Sequence, residues 1–219
     1  NPFINFILEF IQVDVFISYW EWSGGYGYYL EQAGLGQAPR PNEDGYPAFM
    51  NFVAKYASCE KAHQLFYDYV KFILTRTNRY TKKKYKDDPA IMSWQIGNEP
   101  RAFSKEQLPA FEKWLGEASK LIRSLDKNHL ISIGSEGKWG CEGELNCWER
   151  ICADKNVDYC NIHLWPYNWS WARKDHLQED LGISCQNTKE YIDEHLEVCG
   201  RIRKPLVMEE FGYPRDGFS

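Results

Sequence analysis

With 219 residues, 43% of them hydrophobic and 16% aromatic, the chain can bury one packed core, and residues 1–219 read as a single domain. The net charge is −5 with lysine and arginine scattered along the chain, which argues against a nucleic-acid-binding face or a polybasic membrane patch. No apolar run approaches the ~20 residues that spanning a bilayer requires.

The first ten residues, NPFINFILEF, lack a basic n-region and a small-residue cleavage site, and resemble the second half of an amphipathic helix. The chain is therefore expected to begin within a domain. The segment QVDVFISY (12–19) is rich in β-branched and aromatic residues and reads as a strand, opening into the glycine-rich EWSGGYGYYLEQAG. A long aromatic loop is expected to run to about residue 56. A helix follows, carrying Ala62, Leu65, Phe66, Tyr69, Val70 and Ile73 on one face. AIMSWQIG is a second strand, with Trp94 as filler of the barrel interior. After Pro100, Ser104 and Gln107 form a capping-box pattern opening a helix with Leu108, Phe111, Leu115, Ala118, Ile122 and Leu125 at helical spacing. HLISIG (129–134) and DYCNIHLW (158–165) are two more strands. A helix around KEYIDEHLEVC then leads to a strand in KPLVMEEFG.

Short apolar strands alternating with amphipathic helices imply parallel strands joined by right-handed crossovers. An open nucleotide-binding sheet would want a glycine-rich phosphate turn. Neither GxGxxG nor GxxxxGK[ST] occurs, so the α/β fold expected is a TIM (β/α)8 barrel. In such a barrel, chemistry sits where strands end. Glu99, in the stretch IMSWQIGNEPRAF, stands at one strand terminus, and Glu209 and Glu210, in LVMEEFGYPRD, at another three βα units later. Two carboxylates facing each other across a barrel mouth at about 5–5.5 Å are the equipment of a retaining glycoside hydrolase.

Other residues have plainer readings. Seven cysteines are many for a cytosolic chain. Cys141, Cys147 and Cys152 lie close enough in sequence to hold a loop by disulfide, and Cys160 reads as a buried thiol. No CxxC or HExxH is present, so no metal or other cofactor is expected. His63, His129, His176 and His195 read as structural, and KKKYK (82–86) as a solvated loop. Asn168 opens a glycosylation sequon, meaningful if the protein is secreted by a eukaryote. The nine tryptophans and fourteen tyrosines are ample for stacking on sugars, and serve equally well as core filler. Trp20, Trp22, Trp139, Trp169 and Trp171 fall in loops after strands, where stacking is plausible.

WQIGNEPRAFS and LVMEEFGYPRD, with EWSGGYGYYLEQAG and NIHLWPYNW, resemble the β-mannanases of glycoside hydrolase family 5, subfamily 7, over nearly the whole chain and in the right order. The resemblance implies an endo-acting retaining glycosidase cleaving β-1,4 bonds of mannan, glucomannan and galactomannan. It also implies a secreted protein, expected to be a monomer. The visible strands would be the third to the seventh, leaving the first, second and eighth outside this chain. By the same resemblance Glu99 is the acid/base and Glu210 the nucleophile, while Asn98 hydrogen-bonds the sugar 2-hydroxyl and His163 stands near both carboxylates. Trp165 occupies a position where many relatives have a tyrosine, and is assigned to stacking. Ser18 stands where many have asparagine. Arg101 either shapes its loop or contacts sugar. Glu209 is expected to point to the opposite side of its strand from Glu210. The alternatives are another family 5 β-1,4-glycanase, such as a cellulase, or an inactive carbohydrate-binding fragment.

Overall fold

The computed structural model describes residues 25–214 and the backbone of 13–16. Five strands run through it: β1 (Val13–Phe16), β2 (Ile91–Gln95), β3 (Leu130–Ser132), β4 (Cys160–Leu164) and β5 (Leu206–Phe211). β1, β2 and β3 form one parallel ladder in sequence order, and β4 and β5 form another. The seam between β3 and β4 is closed partly by side chains. Asp158 N–H donates to Ile131 O, Gly134 N–H to Asn161 Oδ1, and His163 N–H to Glu136 O. All three contacts join residues the same number of positions apart, so β4 runs parallel to β3. Asp158 itself accepts from Ile131 N–H and from the Arg123 guanidinium, which fixes the seam's lower end.

Each connection between strands carries helix. α1 (Tyr26–Ala33), α2 (Pro41–Asp44), α3 (Tyr46–Val53) and α4 (Glu60–Thr75) lie between β1 and β2. α5 (Leu108–Leu125), α6 (Leu145–Cys152) and α7 (Leu177–Ile202) follow β2, β3 and β4 in turn. The long aromatic loop expected before residue 56 is therefore mostly helical. Gly34 ends α1 in the left-handed region at φ 94°, and Pro47 opens α3. The tyrosines of this stretch are core: Tyr26 stacks on Tyr56 with centroids 3.9 Å apart, and both meet Trp114 edge-on. The capping box also differs. A short 3-10 turn, Lys105–Gln107, precedes α5, Pro109 occupies its first turn, and Ser104 makes no side-chain cap.

Strand alternation sorts two faces. Trp94, Ile96, Ile131, Ile133, Ile162 and Leu164 are buried and join the apolar core with Phe66, Val70, Phe111, Leu115 and Ile122 of the helices. The opposite face is polar yet equally buried: Ser93, Gln95, Ser132, Asn161 and His163. Trp94 thus belongs to the helix-facing side, where its indole N–H donates to Asp126 at 2.7 Å.

The cysteines staple nothing. All seven are free, and Cys141, Cys147, Cys152 and Cys160 are buried in the core. The Cys141 thiol hydrogen-bonds that of Cys147, Cys160 that of Cys152, and Cys199 that of Cys160, and these contacts, followed by burial, push the Cys141, Cys160 and Cys199 thiols up, away from ready ionisation. Among the described residues, no helix is long and apolar enough to cross a membrane.

Candidate active site

The C-terminal ends of β2, β4 and β5 converge on one imidazole. His163, the fourth residue of β4, is fully buried and aims Nδ1 at Glu99 Oε1, 2.7 Å away. The same nitrogen lies 3.4 Å from Glu210 Oε2, and Nε2 lies 3.8 Å from Glu209 Oε2. Burial, the largest influence on this ring, opposes its charge. Glu209 and Glu99 as partners, with the charges of Glu210 and Glu99, outweigh it and push the pKa up to about 9. At 3.8 Å the Glu209 contact is an ion pair rather than a hydrogen bond.

Glu99 reaches this position through an unusual backbone. It lies at φ 48°, in the left-handed region that disfavours a Cβ, and its N–H donates to Gly134 O at 2.8 Å. Gly134 makes the contact possible: it sits at φ +75°, and a Cβ there would come within 2.0 Å of Gly97 O. Gly134→Ala should therefore displace the segment carrying Glu99. Any glycosidase activity should fall about a hundredfold in kcat, and the midpoint of urea unfolding should drop. Wild-type values for both would show that Gly134 does not support the loop.

Glu210 receives the Trp165 indole N–H on Oε2 at 3.1 Å. Trp165, assigned above to stacking, therefore uses its nitrogen here. Gly212 leaves room for the ring, since a Cβ at that position would lie 2.4 Å from it. Glu209 departs further from expectation. Ile162 pairs with Met208 and His163 with Glu210, so Glu209 is the unpaired residue of a β-bulge. The bulge breaks the alternation and leaves both glutamates next to His163. Glu209 Oε1 accepts from Gln95 Nε2 at 2.5 Å and from Asn161 Nδ2 at 2.6 Å.

Asn98 is half-buried beside Glu99. Arg101 is turned toward Glu136, with Nε 2.5 Å from Oε1, so it shapes the loop rather than standing free for sugar. Glu136 was not foreseen. Its side chain is 3% exposed, and burial raises its pKa despite the arginine. The signal for it was present, a glutamate just past the end of β3 in ISIGSEG. Trp139 and Trp169 pack on each other at 6.0 Å, and Trp169 packs on Trp171 and on Tyr191 of α7, forming one aromatic cluster instead of separate platforms. Trp20, Trp22 and Ser18 lie outside the described residues. His63, His129 and His195 are buried and hydrogen-bonded, and His176 pairs at the surface with Glu179.

One atom each from Glu99, His163 and Glu210 lies within 4.8 Å of the others, close enough to chelate a small cation. The same closeness suits two carboxyl groups acting on one small centre, with a proton donor between them.

A family model described as GH family 5 beta-mannosidase-like matches residues 9–219. Mannan endo-1,4-beta-mannosidase 1 of Arabidopsis thaliana is 31% identical over 215 residues, covering 90% of this chain and 47% of that protein. Mannan endo-1,4-beta-mannosidase 4 of Solanum lycopersicum is 33% identical over 152 residues, covering 65% and 37%. Among solved structures, a glycoside hydrolase family 5 mannosidase from Rhizomucor miehei superimposes with a TM-score of 0.79 at 30% identity, covering 94% of this chain and 49% of that one. The endo-β-1,4-mannanase from Thermotoga petrophila gives 0.67 at 25% identity, covering 89% and 40%. The chain spans half or less of the length of these relatives.

Proposed function

The chain belongs to glycoside hydrolase family 5, in its β-mannosidase-like group, and on that premise we propose that it carries the catalytic carboxylates of a retaining endo-β-1,4-mannanase. The observation that carries the reading is the approach of Glu99 and Glu210 within 4.8 Å, on either side of His163 Nδ1. That spacing suits direct attack on carbon. A gap of about 6.5–9.5 Å, with room for a water, would suit inversion.

In this reading Glu210 attacks the anomeric carbon while Glu99 gives its proton to the departing glycosidic oxygen. Glu99 then takes a proton from the water that hydrolyses the glycosyl-enzyme ester, and the configuration is retained. The Trp165 N–H on Glu210 Oε2 leaves the other oxygen for attack. The His163 Nδ1–H turns toward whichever carboxylate carries charge. Asn98 is the donor proposed for the 2-hydroxyl, a bond that strengthens as the ring flattens in the transition state. The five parallel strands in sequence order, in a chain about half its relatives' length, suit the third to seventh strands of an eight-stranded barrel. Mannan is a wall and storage polysaccharide, so the reading also carries an extracellular site of action, with Asn168 exposed as a glycan acceptor.

The test uses the product of the full coding sequence. Reducing ends should appear from β-1,4-mannan and scarcely from cellulose, and proton NMR should find the β-anomer first. Cellulose as the better substrate would move the assignment to a β-1,4-glucanase, and the α-anomer first would overturn the retaining mechanism.

A further inference from the structure

The mechanism above gives no role to Glu209. Glu209 is inserted by the bulge of β5 into the polar interior, with only 11% of its side chain exposed. Its Oε1 is satisfied by two neutral amide donors, whose orientations are fixed from behind. Asn161 Oδ1 accepts from Gly134 N–H, so Nδ2 faces Glu209. Gln95 Nε2 spans the Tyr159 hydroxyl and Glu209, and that hydroxyl in turn donates to Ser93. Among the described residues, Glu209 Oε2 has no hydrogen-bond partner, and neither has the nitrogen it faces, His163 Nε2.

Two unsatisfied polar atoms facing each other in a buried site constrain the protonation state. When Glu99 is ionised, its Oε1 at 2.7 Å requires Nδ1–H, and a neutral ring would then present a bare Nε2 lone pair to a carboxylate oxygen, acceptor against acceptor. A proton on Nε2 converts that contact into an attraction and supplies the countercharge a buried carboxylate needs. The ring's other charged neighbours are Glu99 from the loop after β2, Glu210 from β5, and Glu136 from the loop after β3. Glu136 is already matched by Arg101.

We infer that Glu209 is a positioning residue: from behind the ring it holds His163 as an imidazolium, so that Nδ1–H is always available to Glu99 and Glu210. The role in turnover rests on the hydrolase reading, whereas the effect on the ring does not. The bulge makes the arrangement possible, since strict alternation would send this carboxylate to the helix side.

The experiment follows the His163 ring nitrogens by 15N NMR in the full-length protein, in parallel with kinetics on β-mannan. Wild-type protein should show both nitrogens protonated at neutral pH, titrating near the value of about 9 given above. Glu209→Gln keeps the volume and removes the charge. It should lower the His163 titration by about one unit or more, as expected for loss of an opposite charge within ~4–6 Å. It should also lower kcat about tenfold to a hundredfold with KM nearly unchanged. Glu209→Asp keeps the charge and should recover part of both. A His163 titration in Glu209→Gln within a few tenths of the wild-type value overturns the inference, whatever happens to activity. Should Glu209→Gln fail to fold, Glu209→Asp decides, since its longer gap should still lower the titration measurably and an unchanged value overturns the inference. A protein inactive on mannan whose His163 titration still falls would sink the proposed function and leave the charge relation standing.

Discussion

Glu210→Gln in the full-length protein should reduce mannan turnover by about 10⁴–10⁶-fold in kcat, the scale seen when a covalent nucleophile is removed. The change preserves shape and replaces a carboxylate oxygen by an amide nitrogen, which cannot form the ester intermediate. Trp165 can still donate to the remaining oxygen, so substrate binding and stability should move little. Glu99→Gln should lower kcat by about 10²–10⁴-fold, the usual worth of a general acid. The two variants part on an aryl mannoside whose leaving group needs no proton. Glu99→Gln should form its glycosyl-enzyme at a near-normal rate and show a burst of released phenol, whereas Glu210→Gln should show none. Near wild-type turnover of mannan by either variant would remove that glutamate from its role, and a burst from Glu210→Gln would exclude it as nucleophile.

The largest effect on stability is expected far from the carboxylates. Asp126, just past the end of α5, is 1% exposed and accepts from Trp94 Nε1, from His129 Nδ1, and from the N–H groups of Asn128 and His129. Asp126→Ala would leave these donors unmatched inside the core at a cost of about 3 kcal/mol or more, since each buried donor left without a partner costs about 1–3 kcal/mol. The urea midpoint should fall accordingly. Burial, the largest influence on this carboxyl, raises its pKa, but the hydrogen bonds from Trp94, His129 and the two amides prevail and hold it below the usual range. A depressed folded value means the stabilisation is complete above the unfolded value, ~3.9, and is lost as pH falls through the lower folded one. Asp126→Asn should accordingly be less sensitive to acid than wild type across that interval. A wild-type midpoint in Asp126→Ala, or unchanged acid sensitivity in Asp126→Asn, would show that the network contributes little.

What could be read in the sequence depended on whether the local pattern matched its long-range consequence. The five strands were legible because each joins β-branched or aromatic residues to a turn, and Glu99, His163 and Glu210 because each sits at a strand end in a recognisable motif. The stretch up to about residue 56 was read as loop because its helices are short and punctuated by Gly34, Gly45 and Pro47, and its tyrosines pack into the core. Cys141, Cys147 and Cys152 looked like staples by spacing alone, whereas burial put their thiols in the core. Glu209 was misplaced because no local pattern announces a bulge. A period-two reading sends alternate residues to opposite faces, and one unpaired position in β5 undoes it. Arg101 and Glu136 are partners across 35 positions, a contact only the fold creates.

The left-handed backbone at Glu99 has a consequence for how this chain can drift over evolutionary time. Glycine, or asparagine, would satisfy that conformation at lower cost, by about 1–2 kcal/mol in the case of glycine. Fold stability alone therefore favours losing the glutamate, and under the proposed function it is selection on chemistry that resists the loss. A lineage that kept the scaffold as a mere carbohydrate binder should surrender this residue early, while keeping Gly134, whose freedom from a side chain the packing itself requires.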